Sequence, residues 1–268
     1  MDITPPPKTD FVVDIGEAEI DFYHRNGYLV CGEMTTPEEV AWLVAVYDTL
    51  LAMPRSGFLD GVFDVMSPYG SKAPPKLGQL LLPEKRVPSL RETALWKNAR
   101  RIALKLLGEP EDKVENWGHI LYKAPNSDNV TPWHQDEAYW DVNLSYNALG
   151  GWTPLQDVDI ANGCLWFLPG SHKSNVMRHR HYGDDPAVHV LEVTDPIDTS
   201  AAVPVPMVAG AMSFHHPRTL HYAGPNTTGS IRRAWANEFQ TAPAARDVPA
   251  DHPWVLEGKQ AMQDRWVP

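Results

Sequence analysis

Apolar and polar positions alternate differently in the two halves of this chain, and the change of period near residue 115 divides it. In the first half the spacing is helical. Glu17 to Asn26 reads as a short helix stopped by Asn26-Gly27, and Tyr28 to Cys31 as a strand. Thr36-Pro37-Glu38-Glu39 is a helix start, with Thr36 as cap, Pro37 at the first turn and Glu39 closing a capping box. Trp42, Leu43, Val46, Tyr47 and Leu50 then form an apolar stripe at helical spacing. Helical spacing returns from Leu90 to Gly108 through Leu95, Ala99, Ile102, Ala103 and Leu106. Between these segments, residues 54–88 lose periodicity and are punctuated by glycine and proline. A loop of that length suggests a lid, with Phe58, Phe63, Met66 and Tyr69 as apolar anchors.

Beyond residue 115 the period shortens to two. Trp117–Lys123, Leu149–Val158, Cys164–Leu168, Val188–Val193, Pro204–Val208, Ala211–His215 and Arg232–Gln240 are predicted strands, and Trp133–Trp140 among them carries the candidate chemistry. Pro125–Val130 and Asp159–Gly163 supply turns, and 173–187 is a polar loop. Many short strands joined by turns imply a mainly β sandwich or barrel. The expectation is one domain over 1–268: a helical part at 17–115, a β core at 116–240 and a C-terminal extension at 241–268.

Composition changes this picture little. With 25 prolines and 10 tryptophans in 268 residues, and 43% hydrophobic against 21% charged, the chain suits an all-β globular core. The net charge of −11 argues against nucleic acid as a partner and against a polyanionic substrate. The two cysteines, Cys31 and Cys164, make no disulfide framework. The chain shows no run of about 18 apolar residues and no signal-peptide pattern at its start, so the expectation is a cytoplasmic protein that does not cross a membrane.

The chemistry concentrates in Trp133-His134-Gln135-Asp136. On a strand, residues i and i+2 share a face, so His134 and Asp136 would present an imidazole and a carboxylate side by side. A third ligand from a distant histidine would complete the two-histidine, one-carboxylate set of non-haem iron oxygenases. His215, His216 and His221 are the candidates, with His221 followed by Arg232 and Arg233. A planar guanidinium grips a carboxylate through two parallel hydrogen bonds, as holding an organic acid cosubstrate would require. Arg232 shares its face with the small Ala234 and Ala236, whereas Arg233 shares one with Trp235 and Phe239. Glu238 would also fall on the Arg232 face, an awkward neighbour unless the strand ends or bulges first.

These segments, with Asn162 to His172 and His221-Tyr222-Ala223-Gly224-Pro225-Asn226, resemble the phytanoyl-CoA dioxygenase family from about Trp117 to Gln240. The resemblance implies a double-stranded β-helix, a cupin-like jelly roll with N-terminal helices on one sheet. It implies an Fe(II)- and 2-oxoglutarate-dependent dioxygenase that uses O2 and releases succinate and CO2. His134, Asp136 and His221 match the iron ligands. Arg232 matches the cosubstrate arginine, and Trp152 a tryptophan packed beside the cosubstrate. Where some members carry a serine two residues after the distal histidine, this chain has Ala223, so a second cosubstrate hydrogen bond must come from elsewhere. Tyr139 and Trp140 are substrate-pocket candidates. His172 is expected to brace a loop, and His179, His181 and His189 to lie in or beside a solvated loop with Asp184 and Asp185, a second metal site there being the alternative. Hydroxylation of a small metabolite is the expected reaction, with desaturation, ring formation or halogenation as alternatives. Asp136 argues against halogenation, which needs the carboxylate position open. A zinc hydrolase would leave Arg232 without a purpose, and the complete ligand set argues against a non-catalytic cupin-like binding protein.

Overall fold

The computed structural model describes residues 3–53, 62–67 and 76–265. In chain order its elements are α1 (Glu17–Asn26), β1 (Tyr28–Glu33), α2 (Pro37–Leu51), β2 (Phe63–Asp64), β3 (Leu77–Leu81), α3 (Pro83–Arg86), α4 (Ala94–Leu107) and β4 (Val114–Lys123). There follow β5 (Thr131–His134), β6 (Leu144–Ser145), β7 (Ala148–Pro154), β8 (Leu165–Phe167), β9 (His179–His181), β10 (Leu191–Val193) and β11 (Val203–Val205). The chain ends with β12 (Ala211–His215), β13 (His221–Ala223), β14 (Arg232–Thr241), β15 (Ala244–Ala245) and α5 (Pro253–Arg265).

A seven-stranded sheet runs β1-β12-β7-β14-β4-β3-β2, and a four-stranded sheet runs β11-β8-β13-β5. All their pairings are antiparallel, with crossovers between strands distant in sequence, the pattern of a jelly roll. Between the sheets lies an apolar layer built from Tyr28, Trp152, Leu165, Phe167, Val205, Ala223, Ala234 and Ala236. The outer face of the large sheet carries the opposite strand phase. Ile120, Leu149, Phe214, Trp235 and Phe239 meet Leu43, Tyr47 and Leu50 of α2 and Ala99 and Ile102 of α4 there. The mainly β core with N-terminal helices on one sheet therefore forms as the sequence implies.

Local departures have physical causes. Gly27 ends α1 in the left-handed region at φ 80°, the conformation that glycine adopts without a Cβ penalty. Thr36 caps α2, but Glu39 does not close a capping box there. Its fully buried carboxylate accepts from Thr35 Oγ1 (2.6 Å) and from the backbone N–H groups of Ala94 (2.8 Å) and Leu95 (2.9 Å). It thereby satisfies the free N–H groups at the start of α4. That helix begins at Ala94 rather than Leu90, because Pro88–Glu92 forms a 3-10 turn and Thr93 is the cap.

Within the proposed lid, residues 54–61 and 68–75 lie outside the described residues, Phe58 and Tyr69 among them. The remainder is more regular than a loop, since β2 and β3 pair and extend the large sheet beside β4. The 173–187 loop contains β9, which pairs with β10. The C-terminal extension contains α5, whose Trp254 Nε1 donates to Ala138 O (2.8 Å) just beyond the His-x-Asp turn.

Candidate active site

β5 ends at His134, two residues short of Asp136, and Asp136 opens a 3-10 turn. Gln135 between them stays extended (φ −124°, ψ 132°), so both side chains still emerge on one side. Glu137 anchors this turn. Its buried carboxylate accepts from Arg218 Nε (2.6 Å) and Arg246 Nη2 (3.0 Å), joining the turn to the His221 loop and to the C-terminal segment.

His221 on β13 stands directly opposite His134 in the β5–β13 pair, with ring centroids 4.1 Å apart. The ligand atoms of His134, Asp136 and His221 all lie within 4.8 Å of one another, and among the described residues this is the one such cluster. Both histidines aim Nε2 at Asp136 Oδ1, at 3.6 and 3.5 Å. Each donates its Nδ1–H to a backbone carbonyl two residues upstream, Pro132 O (2.7 Å) and Thr219 O (3.0 Å). That bond fixes the tautomer and leaves the Nε2 lone pair free for a metal. Burial lowers the pKa of both, that of His221 to about 3, so both rings are neutral at physiological pH. Burial opposes ionisation of Asp136, but His221, His215 and His134 together hold its carboxyl well below the usual range.

The other Asp136 oxygen, Oδ2, accepts from His215 Nε2 at 2.8 Å. His215 is therefore a brace for the carboxylate and not part of the cluster. Gly150 makes room for this contact, because a Cβ there would sit 2.9 Å from His215 Cε1 and Nε2 and 3.6 Å from Asp136 Oδ2. His216 turns away, its Nδ1 accepting from Arg218 N (3.1 Å). His172 reaches His24 O, His179 contacts Gln135 N and Met177 O, and His181 bridges Val188 O and Trp254 O. His189 differs from these loop histidines in lining the cavity.

The cluster opens into a cavity of about 240 Å³ between the sheets, lined also by Tyr139, Trp140, Trp152, Thr131 and Arg232. Arg232 is 4% exposed, and its Nε and Nη1 have no hydrogen-bond partner. Its guanidinium lies 5.2 Å from the Trp152 ring centroid, a cation–π contact. Burial draws its pKa down to about 10, leaving it cationic at neutral pH. Arg233 points the other way, to Asp48 of α2 (2.7 and 3.2 Å). Ala223 lines the cavity beside Thr131, its cross-strand partner. Of the remaining aromatics, Trp133 stacks on Tyr222, and Tyr146 packs edge-on against Trp140.

Lys123 escaped the sequence reading, and Glu238 was read only as an awkward neighbour of Arg232. Lys123, fully buried and paired with Arg232 across β4 and β14, donates from Nζ to the carbonyls of Ala223 and Gly224. It thus clamps the strand carrying His221 to the opposite sheet. Glu238 lies on the same unbulged face as Arg232 and reaches the cavity from its other end. The inward phase of β4 (Trp117, His119, Leu121, Lys123) and of β14 was the available signal for both.

A jelly roll carrying two histidines and a carboxylate at its mouth, beside a buried arginine, is the arrangement of the mononuclear iron, 2-oxoglutarate-dependent dioxygenases. The chain belongs to the phytanoyl-CoA dioxygenase family, whose model matches residues 23–234. It is 31% identical over 139 residues to phytanoyl-CoA dioxygenase domain-containing protein 1 of Bos taurus, covering 50% of this chain and 47% of that one. To the peroxisomal phytanoyl-CoA dioxygenase of Homo sapiens it is 30% identical over 128 residues, covering 46% of this chain and 38% of that one. The chain thus matches about half the length of these curated relatives, or less. Among solved structures it resembles EvdO2 from Micromonospora carbonacea var. aurantiaca complexed with 2-oxoglutarate, with TM-score 0.80, 34% identity and coverage of 92% of this chain and 99% of that one. It also resembles the epimerase SnoN in complex with Fe3+, alpha ketoglutarate and nogalamycin RO, with TM-score 0.67, 25% identity and coverage of 86% and 85%. Among the described residues no helix is long and apolar enough to cross a membrane.

Proposed function

We propose that this protein couples oxidative decarboxylation of 2-oxoglutarate to hydroxylation of an unactivated C–H bond in a small molecule. One observation supports the reading above the others: a buried guanidinium with unpaired N–H groups faces the same cavity as the His-Asp-His cluster. An unpaired buried charge is strongly unfavourable, so Arg232 requires an anionic partner. A dicarboxylate with one end on the metal and the other on a planar fork meets that requirement.

In this reading His134, Asp136 and His221 hold Fe(II), and Arg232 holds the distal carboxylate of 2-oxoglutarate. Trp152 packs against the guanidinium. Thr131 supplies the hydroxyl that Ala223 lacks, since the two residues are cross-strand partners on the cavity wall. Bound together, iron and 2-oxoglutarate supply the activation of O2 and the oxidising equivalents. The chain's own tasks are ligation, orientation and exclusion of water. The Pro132 and Thr219 carbonyls keep the two imidazoles in the coordinating tautomer, and His215 steadies the second carboxylate oxygen.

Zinc hydrolysis gives Arg232 no role, and halogenation requires an opening that Asp136 fills. The test is to supply Fe(II), 2-oxoglutarate and O2 with a panel of small metabolites, and to quantify succinate and any product heavier by one oxygen. Substrate-stimulated, iron-dependent succinate with a product of that mass supports the reading. Hydrolysis products formed without 2-oxoglutarate would replace it.

A further inference from the structure

The cavity has two chemically distinct ends. Arg232 occupies one. Glu238 lies six residues along the same strand, and at about 3.4 Å per residue the two are separated by roughly 20 Å of backbone. Between them Ala234 and Ala236 leave the floor of the large sheet low. Gly150 pairs with both Glu238 and His215, so Glu238 lies on the same rung of the sheet as the brace on Asp136. A cosubstrate reaching from Arg232 to the His-Asp-His cluster therefore leaves the Glu238 end for something else.

Two further polar side chains step diagonally away from Glu238 across the large sheet, His119 on the rung of Ala236 and Gln79 on that of Ala234. His119 projects inward from β4 and Gln79 from β3, on strands adjacent in the large sheet. Among the described residues, none of the three side chains has a hydrogen-bond or ion-pair partner. Unsatisfied polar groups facing a cavity demand a polar occupant. Among the described lining residues Arg232 is the one lysine or arginine, so none of those at this end matches the phosphates of a coenzyme A thioester.

We propose that Gln79, His119 and Glu238 form the substrate-recognition wall of this enzyme, and that the wall selects an uncharged, hydroxyl-rich molecule; the proposal rests on the 2-oxoglutarate reading above. The state of the side chains agrees. Burial pushes Glu238 well above the usual carboxylate range, helped by the Asp136 charge, and burial pushes His119 down to about 4. His119 is therefore neutral near pH 7, burial favours the acid form of Glu238, and with the Gln79 amide they offer both donors and acceptors. Hydroxyl groups match such a surface in both directions, whereas an ion would be desolvated without a partner. Tyr139 and Trp140 line the same cavity with aromatic rings, suited to packing on C–H surfaces.

The test uses the full chain and three named probe sets: uncharged methyl glycosides, choline, and hexanoyl-coenzyme A. Binding is read by saturation-transfer NMR, which does not depend on turnover. The expected result is binding of at least one glycoside by wild type and by Glu238→Gln, with at least tenfold weaker binding in Glu238→Leu and His119→Leu. Absence of binding by every glycoside overturns the proposal, as does binding of choline or the thioester alone. Leucine variants that bind like wild type also overturn it. Equal loss in Glu238→Gln and Glu238→Leu points to a carboxylate facing a cation and likewise overturns it. Melting temperatures of the variants show whether a loss is local, and Gln79→Leu provides an independent arm should either leucine variant fail to fold. Iron-dependent succinate release by wild type is measured on the same preparations. Its absence removes the 2-oxoglutarate reading whatever the probes do, and its presence beside indifferent leucine variants removes the wall alone.

Discussion

Replacing His215 by phenylalanine isolates one hydrogen bond. The ring stays, and with it the packing 5.5 Å from Phe167, but the 2.8 Å donor to Asp136 Oδ2 disappears. A hydrogen bond to a charged group contributes about 1.5–3 kcal/mol. At about 1.4 kcal/mol per decade, that is roughly tenfold to a little over a hundredfold in an equilibrium constant. Removing a hydrogen-bond partner of a metal ligand typically weakens metal binding by about 10–100-fold, the same range reached from another direction. Anaerobic calorimetric titration with Fe(II) should therefore show His215→Phe binding iron one to two decades more weakly. Gly150→Ala provides a second arm. Its Cβ would stand 2.9 Å from the imidazole, against 3.4 Å where ordinary contact begins, so His215 would retreat by about 0.5 Å. The bond would lengthen and iron affinity would fall, by less than in His215→Phe. Unchanged iron affinity in His215→Phe would refute the view that His215 holds the carboxylate for the metal.

Other outcomes follow from the same geometry. Arg232→Ala should raise the 2-oxoglutarate requirement by roughly tenfold or more, with Arg232→Lys only partly restored because an ammonium cannot form the fork; a titration in which Arg233→Ala shows the loss instead would reverse the assignment. Glu39→Ala should lower stability by on the order of 2–4 kcal/mol in a denaturant melt, since the N–H groups of Ala94 and Leu95 lose their buried acceptor; an unchanged midpoint would show that α4 needs no cap from α2. Acid should destabilise the fold through His179, whose Nε2 accepts from Gln135 N and whose pKa burial lowers to about 4. The unfolded chain protonates this histidine near pH 6.5, so its contribution is complete above that pH and is lost as pH falls towards 4, on the order of 2–3 kcal/mol. Melting temperatures of wild type and His179→Gln between pH 7 and 4 should converge on acidification, and parallel curves would contradict the assignment.

The strand period made most of the core legible. Inward and outward faces of β4, β12 and β14 follow directly from alternation, which is why Arg232 and Arg233 could be assigned to opposite sides. His134 and Asp136 were legible as a same-face pair, although the strand stops between them. One extended residue, Gln135, keeps the geometry that a continuous strand would have given. What sequence spacing does not carry is contact between distant segments. Glu39 looked like a local capping residue because its partners at Ala94 and Leu95 lie 55 and 56 positions away. The Lys123 clamp on Ala223 and Gly224 depends on how the two sheets face each other, which no local pattern encodes. Glu238 looked an awkward neighbour on the face of Arg232 unless the strand ended or bulged, and β14 does neither. In the folded chain the two groups occupy opposite ends of one cavity, and burial favours the neutral acid. The α5 helix, with its weak apolar stripe, gave little helical signal, and it is positioned by Trp254 reaching back to Ala138.

The central claim is that His134, Asp136, His221 and Arg232 act as one unit on iron and 2-oxoglutarate. The most direct measurement is the rate of succinate formation from 2-oxoglutarate by wild type and by His221→Ala, each with Fe(II) present and after chelation. The account predicts iron-dependent succinate from wild type, lost on chelation and restored by Fe(II), and none above background from His221→Ala at any iron concentration up to saturation of wild type. Succinate at the wild-type rate from His221→Ala, or from chelated wild-type protein, would contradict it.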